Sequence, residues 1–127
     1  MPKKLKIMFK KEQLWAWSPV VLYAIFIFVL SAQPGKYIPE LFPGADKLLH
    51  FLEYFPFGFL VLRAFVKGSN MTFGREALLM SIFVIMLYSL SDETHQLFVP
   101  GRQFDLIDMF FDTVGASAGS YSHRWLK

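Results

Sequence analysis

The stretch Asp46–Val66, DKLLHFLEYFPFGFLVLRAFV, decides how this chain is read. At 1.5 Å per residue a helix of this length crosses a hydrocarbon core of ~30 Å. Yet Asp46, Lys47, His50 and Glu53 are set into its first half. The i, i+4, i+7 spacing of Asp46, His50 and Glu53 puts them on one helical face. A carboxylate inside a bilayer costs at least a few kcal/mol, so it normally faces a bundle interior or a wet cavity. The stretch therefore reads as a membrane helix with a polar stripe that needs polar partners.

Those partners occur further along the chain. Seven of the ten acidic residues lie inside or at the edge of apolar segments: Asp46, Glu53, Asp92, Glu93, Asp105, Asp108 and Asp112, with His50, His95, Gln96, Lys47 and Arg102 among them. Ser89, Asp92, Glu93 and Gln96 share one face of a helix, and His95 flanks it. Asp105, Asp108 and Asp112 share another face, which Gly115 and Gly119 continue.

Composition narrows the class. The 127 residues are 54% hydrophobic and 18% aromatic, more apolar surface than a soluble domain of this size buries. The net charge of +3 comes largely from Lys3, Lys4, Lys6, Lys10 and Lys11. Beside an apolar segment, that cluster reads as a cytoplasmic anchor on anionic lipid and not as a nucleic-acid surface. With no cysteine in the chain, disulfide and thiolate chemistry are excluded.

Four membrane helices are predicted at about residues 14–31, 46–66, 76–98 and 103–125, after a basic cytoplasmic N-terminus at about 1–13. A signal peptide is the rival reading of the first helix. Ser31-Ala32-Gln33 offers no small-x-small cleavage site and further spans follow, which favours a retained helix. Pro34, Gly35, Pro39, Pro43 and Gly44 mark a loop, Lys67–Arg75 a second, and Pro100-Gly101 a tight turn. Asp46 is expected to cap the second helix and Pro56 to kink it. Short connections imply an all-α, integral membrane, four-helix antiparallel bundle forming one domain. Lys and Arg cluster near both termini and around the second loop, flanked by Arg63, Lys67 and Arg75, and only Lys36, Lys47 and Arg102 lie on the other side. Both termini are thus expected to be cytoplasmic.

On that topology the acidic faces of helices two, three and four meet in the outer half of the bilayer. Glu53 and Asp112 fall at roughly the same depth, about 10–14 Å below the outer boundary. The expected catalytic group is His50, Glu53, Asp92, Glu93 and His95, with Glu53 or His50 as general base. Asp46, Lys47, Gln96, Arg102, Asp105, Asp108 and Asp112 are expected to contact substrate, with Arg102 clamping a phosphate or carboxylate. So many carboxylates cannot all ionise together unless cations neutralise them. Arg102, Lys47, protons, a cationic ligand or a divalent cation could do so. Glu53, Asp92, Glu93 and Asp108 are the candidate metal ligands. Gly115-x-x-x-Gly119 reads as close helix packing, and the run Phe51, Tyr54, Phe55, Phe57, Phe59 as lipid-facing or packing surface.

The string Asp46-Lys47-x-x-His50-Phe51-x-Glu53-Tyr54, then Ser91-Asp92-Glu93-Thr94-His95-Gln96-x-Phe98-Val99-Pro100-Gly101-Arg102 and Asp105-x-x-Asp108, resembles the VanZ-like family. Asp112-x-x-Gly115-x-x-x-Gly119 matches as well, where many members carry Asn for Asp112, and Ser31-x-Gln33 resembles that family's end of the first helix. The resemblance spans roughly residues 18–121. It implies a small multi-pass protein of the bacterial cell membrane. The family's founding member is linked to resistance to teicoplanin, a lipoglycopeptide antibiotic acting on the cell envelope. The resemblance supplies a phenotype and a compartment, not a reaction.

Three functions remain open at this point. The first is a membrane enzyme hydrolysing or transferring a group on a lipid-linked or amphiphilic substrate at the outer leaflet. The second is a binding or accessory protein for a lipoglycopeptide, a lipid-linked cell-wall precursor or a partner. The third is ion or proton translocation, which ranks last because the inner half of the third helix is almost bare of polar groups.

Overall fold

A computed structural model describes residues 11–35 and 41–126, which form four helices and, among the described residues, no strand. They are α1 (Lys11–Ser31), α2 (Ala45–Gly68), α3 (Arg75–Gln96) and α4 (Leu106–Leu126). Most of the residues that carried the charge asymmetry at the N-terminus, together with Lys36 and Lys127, lie outside the described residues.

The helix boundaries differ from the sequence reading in three places, each with a local cause. Asp46 does not cap α2. Gly44, at φ +85°, precedes the helix, no side chain caps it, and Asp46 sits exposed in the first turn, where its charge still suits the positive end of the helix dipole. α3 stops at Gln96 and not at Phe98. Leu97, Phe98 and Val99 donate to Thr94, His95 and Gln96 in tightened i→i+3 bonds, and Arg102 N–H then donates to Val99 at 3.1 Å. Pro100 and Gly101 (φ +78°) occupy the central positions of that turn, as a type II turn requires. α4 starts at Leu106 and not at Gln103, because Asp105 is its cap. The Asp105 carbonyl accepts Met109 N–H, and its Oδ1 accepts Ile107 N–H at 2.8 Å.

α2 touches all three other helices, and its contact with α4 is the most extensive. The α2–α4 seam is built on small residues. A Cβ at Gly115 or Gly119 would meet the backbone carbonyl of Phe51 or Phe55, and one at Gly58 would meet that of Ala116. Ser120 Oγ donates to the Gly58 carbonyl at 2.9 Å across the same seam. Small residues bring two backbones this close, as they do between membrane helices generally. α1 lies on the other flank of α2. Trp17 packs edge-on against Phe65, and Tyr23 stacks on Phe57 and donates to the Glu53 carbonyl. Tyr88 of α3 donates to the Ala24 carbonyl, which ties α3 to α1. Pro56 sits within α2, and the helix runs on through it to Gly68.

Beside an apolar core that includes Ile27, Phe57, Val61 and Ile85, the burial of charge and the exposure of apolar side chains depart from those of a water-soluble protein. Asp92, Glu93, Gln96, Asp108, Asp112, Ser81, Ser89, Ser120 and His123 are buried, and Trp15, Leu22, Phe83, Phe98, Phe110 and Trp125 are among many large apolar side chains left exposed. Apolar surface on this scale needs an apolar surrounding. α1, α2 and α3 are long and apolar enough to cross a membrane. α4 is not among them, yet its 21 residues follow the same division. Leu106, Ile107, Phe110, Val114, Tyr121 and Trp125 face outward, and Asp108, Asp112, Gly115, Ala116, Gly119 and Ser120 face inward. Its polarity is an interior stripe.

Candidate functional site

The polar stripes of α2, α3 and α4 meet at the end of the molecule that holds the start of α2 and of α4. Lys47, in the first turn of α2, reaches across to the start of α4. Its Nζ lies 2.7 Å from Asp105 Oδ2, 2.5 Å from Asp108 Oδ1 and 3.1 Å from Asp46 Oδ2. One ammonium thus gathers three carboxylates. The Lys47 ammonium holds the Asp105 carboxyl below its ordinary range. Asp105 is a junction in its own right. Oδ2 takes Lys47, Oδ1 caps α4, and its backbone N–H donates to Glu93 Oε1 at 3.0 Å.

One turn deeper, His50 lies between two carboxylates of α4. Its Nδ1 is 2.7 Å from Asp112 Oδ1 and its Nε2 is 3.4 Å from Asp108 Oδ2. Asp112 is fully buried and uses its second oxygen to accept Ser89 Oγ of α3 at 2.7 Å. Three helices therefore converge on one carboxylate. Glu93, also fully buried, offers an oxygen that comes within 4.8 Å of ligand atoms of His50 and Asp112. Of the four acids expected as metal ligands, Glu93 belongs to that set. Glu53, Asp92 and Asp108 lie outside this set of three.

The other expected site residues fall in different surroundings. Asp92 Oδ2 accepts Tyr54 OH at 3.0 Å, and its Oδ1 is buried without a hydrogen-bond partner. Glu53, Gln96 and Arg102 line an open cleft of about 1030 Å³, together with Asp46, His50, Asp105 and Asp108. Arg102 Nη1 donates to the Gln33 carbonyl at 2.9 Å, and Gly35 N–H donates to the Pro100 carbonyl at 2.9 Å. The end of α1 is thereby strapped to the α3–α4 turn beside the cleft. His95 is not brought into this set. It stacks on Phe28 of α1 with ring centroids 4.4 Å apart and does not line the cleft.

Two polar partners were missed from sequence. The sequence groups Tyr54 with the lipid-facing or packing aromatics, but it is fully buried and bonds Asp92. Its position four after His50 and one after Glu53 puts it beside the polar stripe, and a phenol there needs a partner. Ser89 was seen on the polar face of α3 but not assigned to the site. Its hydroxyl is the α3 contribution to the Asp112 contact. Phe57, from the same aromatic run, is a core residue.

The cleft has two chemically different walls. Phe26 and Leu30 of α1 and Leu49 and Leu52 of α2 form one, each at least 37% exposed. The charged groups above form the other.

No curated protein and no solved structure matches the chain. A family model described as VanZ/LLP1 matches residues 4–127. That match takes in all four helices, the gathered carboxylates and the strap from α1 to the α3–α4 turn, and on it this chain belongs to the VanZ/LLP1 family.

Proposed function

We propose that this protein is a multi-pass bacterial membrane protein whose cleft takes up the polar head of an amphiphile from the outer leaflet, with the tail against α1 and α2. The observation that carries this reading is the two-walled cleft: Phe26, Leu30, Leu49 and Leu52 on one side, and His50, Glu53, Gln96 and Arg102 on the other. Among the described residues the Arg102 side chain has no ion-pair partner and makes one hydrogen bond, to a neutral carbonyl. A guanidinium presents five donors in a planar fork, so it retains donors for an anionic head bearing phosphate or carboxylate. Lipid-linked cell-wall precursors and lipoglycopeptides of the teicoplanin type share that two-part chemistry.

In this reading the four helices form an antiparallel bundle of spans with both termini cytoplasmic. The support is the distribution of cations. Arg63, Lys67, Arg75 and Arg124 gather at the end opposite the cleft, two of them around a basic depression lined by Lys67, Thr72, His123 and Arg124. α4 spans with its polar stripe inward. The reaction class is hydrolysis or group transfer, with Glu53 as the base, since it lines the cleft and its carboxylate makes no hydrogen bond among the described residues.

Mass-spectrometric profiling of lipids and cell-wall precursors tests this in cells with the wild-type chain, without it, and with Glu53→Gln. A precursor or lipid mass that changes with the wild type and reverts in Glu53→Gln supports the enzymatic reading. Unchanged masses, with a photoreactive lipid-phosphate probe crosslinking to wild type and not to Arg102→Ala, assign binding without turnover. Unchanged masses and no crosslink remove the amphiphile from consideration.

A further inference from the structure

Behind the cleft wall is a group of side chains of which the amphiphile reading uses only His50. Glu93 is 0% exposed. Its Oε1 accepts the Asp105 N–H, and its Oε2 is buried with no hydrogen-bond partner. Leaving a carboxylate oxygen bare in such a place costs more than leaving a neutral acceptor bare. The Glu93 ligand atom lies within 4.8 Å of one from His50 and one from Asp112, each on a different helix. The charges nearby do not balance. Lys47 is already shared among Asp46, Asp105 and Asp108. His50 alone then faces Asp112 and Glu93, and Asp92 lies a residue away with a bare oxygen of its own.

We infer that His50, Glu93 and Asp112 form a binding site for one divalent transition-type cation, of which Zn²⁺ and Mn²⁺ fit the donor set. One imidazole and two carboxylates suit such ions. A cation held at ~2.1 Å from each donor asks for donors about 3–3.5 Å apart. Side-chain adjustments of roughly 1 Å within the observed 4.8 Å reach that spacing. The cation gives Glu93 Oε2 its missing partner and takes His50 Nδ1 over from its 2.7 Å contact with Asp112. Ser89, donating to the other Asp112 oxygen at 2.7 Å, and Asp105 N–H, donating to Glu93, act as the outer hydrogen bonds that orient ligating carboxylates. The site ties together α2, α3 and α4 and lies directly behind His50, which also lines the cleft. It does not depend on what the cleft binds.

The test uses tag-free, full-length protein in detergent, stripped with chelator and titrated with Mn²⁺ or Zn²⁺ alone. About one equivalent per chain is expected, together with a raised thermal midpoint. Glu93→Gln and Asp112→Asn should each weaken binding by at least about tenfold, and Asp92→Asn, adjacent but outside the set, should retain it. A second measurement needs no variant: the electron spin echo of bound Mn²⁺ in the wild-type protein should carry modulation from a directly bound imidazole nitrogen. No binding at millimolar metal, binding that survives both Glu93→Gln and Asp112→Asn, equal loss in Asp92→Asn, or Mn²⁺ without nitrogen coupling would each overturn the assignment. Because lipid is absent throughout, these outcomes are separate from those that bear on the amphiphile.

Discussion

His50 and Asp112 meet at 2.7 Å across the α2–α4 seam, and the same carboxylate accepts Ser89 from α3 at 2.7 Å. Removing Asp112 therefore severs contacts from two helices at once. Asp112→Ala is expected to destabilise by about 3–5 kcal/mol, the range for breaking a buried charged pair from one side. Asp112→Asn keeps an acceptor for Ser89 and should lose distinctly less. Denaturation of the two variants by SDS in mixed micelles measures both. Equal losses would mean that the charge, and not the hydrogen-bond geometry, holds the three helices.

The α2–α4 seam leaves no room for side chains at three glycines. At Gly58, Gly115 and Gly119 the obstacle to a Cβ is backbone, which cannot rotate away. Gly115→Ala and Gly119→Ala should each lower stability by about 1–3 kcal/mol or more, and Gly74→Ala, where the nearest atom to a Cβ is 4.0 Å away, should cost less, with only the weaker N-cap preference of Ala against it. A thermal melt of each purified variant decides it.

Tyr54 is the sole hydrogen-bond donor to Asp92 among the described residues, and it serves only one of the two oxygens. Tyr54→Phe should cost about 1–3 kcal/mol by leaving both bare. Adding Asp92→Leu should recover part of that loss, so the double variant falls short of the sum of the singles. Strict additivity would show that the bond contributes nothing to the fold.

Asp105 should give the protein an acid limb in its stability. Lys47 lowers its folded value from an ordinary 3.8, so the ionised form is favoured by folding. Its contribution is fully present above about pH 4 and is lost as pH falls through the lowered folded value. Asp105→Asn should flatten that limb while changing the midpoint little between its own pH 5 and pH 7 values. The readout is the thermal midpoint of wild type and variant from about pH 2.5 to 7. An unchanged acid limb would detach the Lys47 contact from stability.

Orientation is open to a direct check. Reporter fusions at Lys127 and within residues 36–44 should report cytoplasmic and external positions respectively. A C-terminus found outside would invert the cleft along with it.

Much of this was legible from residues 46–53 and 89–112, because a helix repeats every 3.6 residues and charges that share a face in sequence also share one in space. The polar stripes of α2, α3 and α4 could be drawn without coordinates, and so could the role of Gly115 and Gly119. Which partner each charge takes was not legible. Lys47 draws in Asp105 and Asp108 across ~60 residues of chain, which depends on the register of α2 against α4, and that register is set by the three glycines. Asp105 looked like one more residue of a helical face, whereas it is the cap that sets where the helix begins. His95 lies next to the polar face of α3 in sequence, but the arc it occupies points to α1 and Phe28. The hydroxyl of Tyr54 is hidden among five aromatics because a run of rings reads as packing surface until the partner of the oxygen is known.

The inward polar stripe of α4 bears on how the protein is made. An isolated helix carrying Asp108 and Asp112 would meet a penalty for each on insertion into lipid, up to about 2.5–3.5 kcal/mol, the value at a helix centre, and α4 is not among the helices apolar enough to cross on their own. Its partners Lys47, His50, Ser89 and Glu93 all precede it in the chain. By the time α4 leaves the ribosome, the surface that accepts its carboxylates has already been synthesised. On the proposed reading that α4 spans, its entry is a docking event onto its predecessors, and the contacts of Asp105, Asp108 and Asp112 form together after the Tyr54–Asp92 contact between α2 and α3 is already possible.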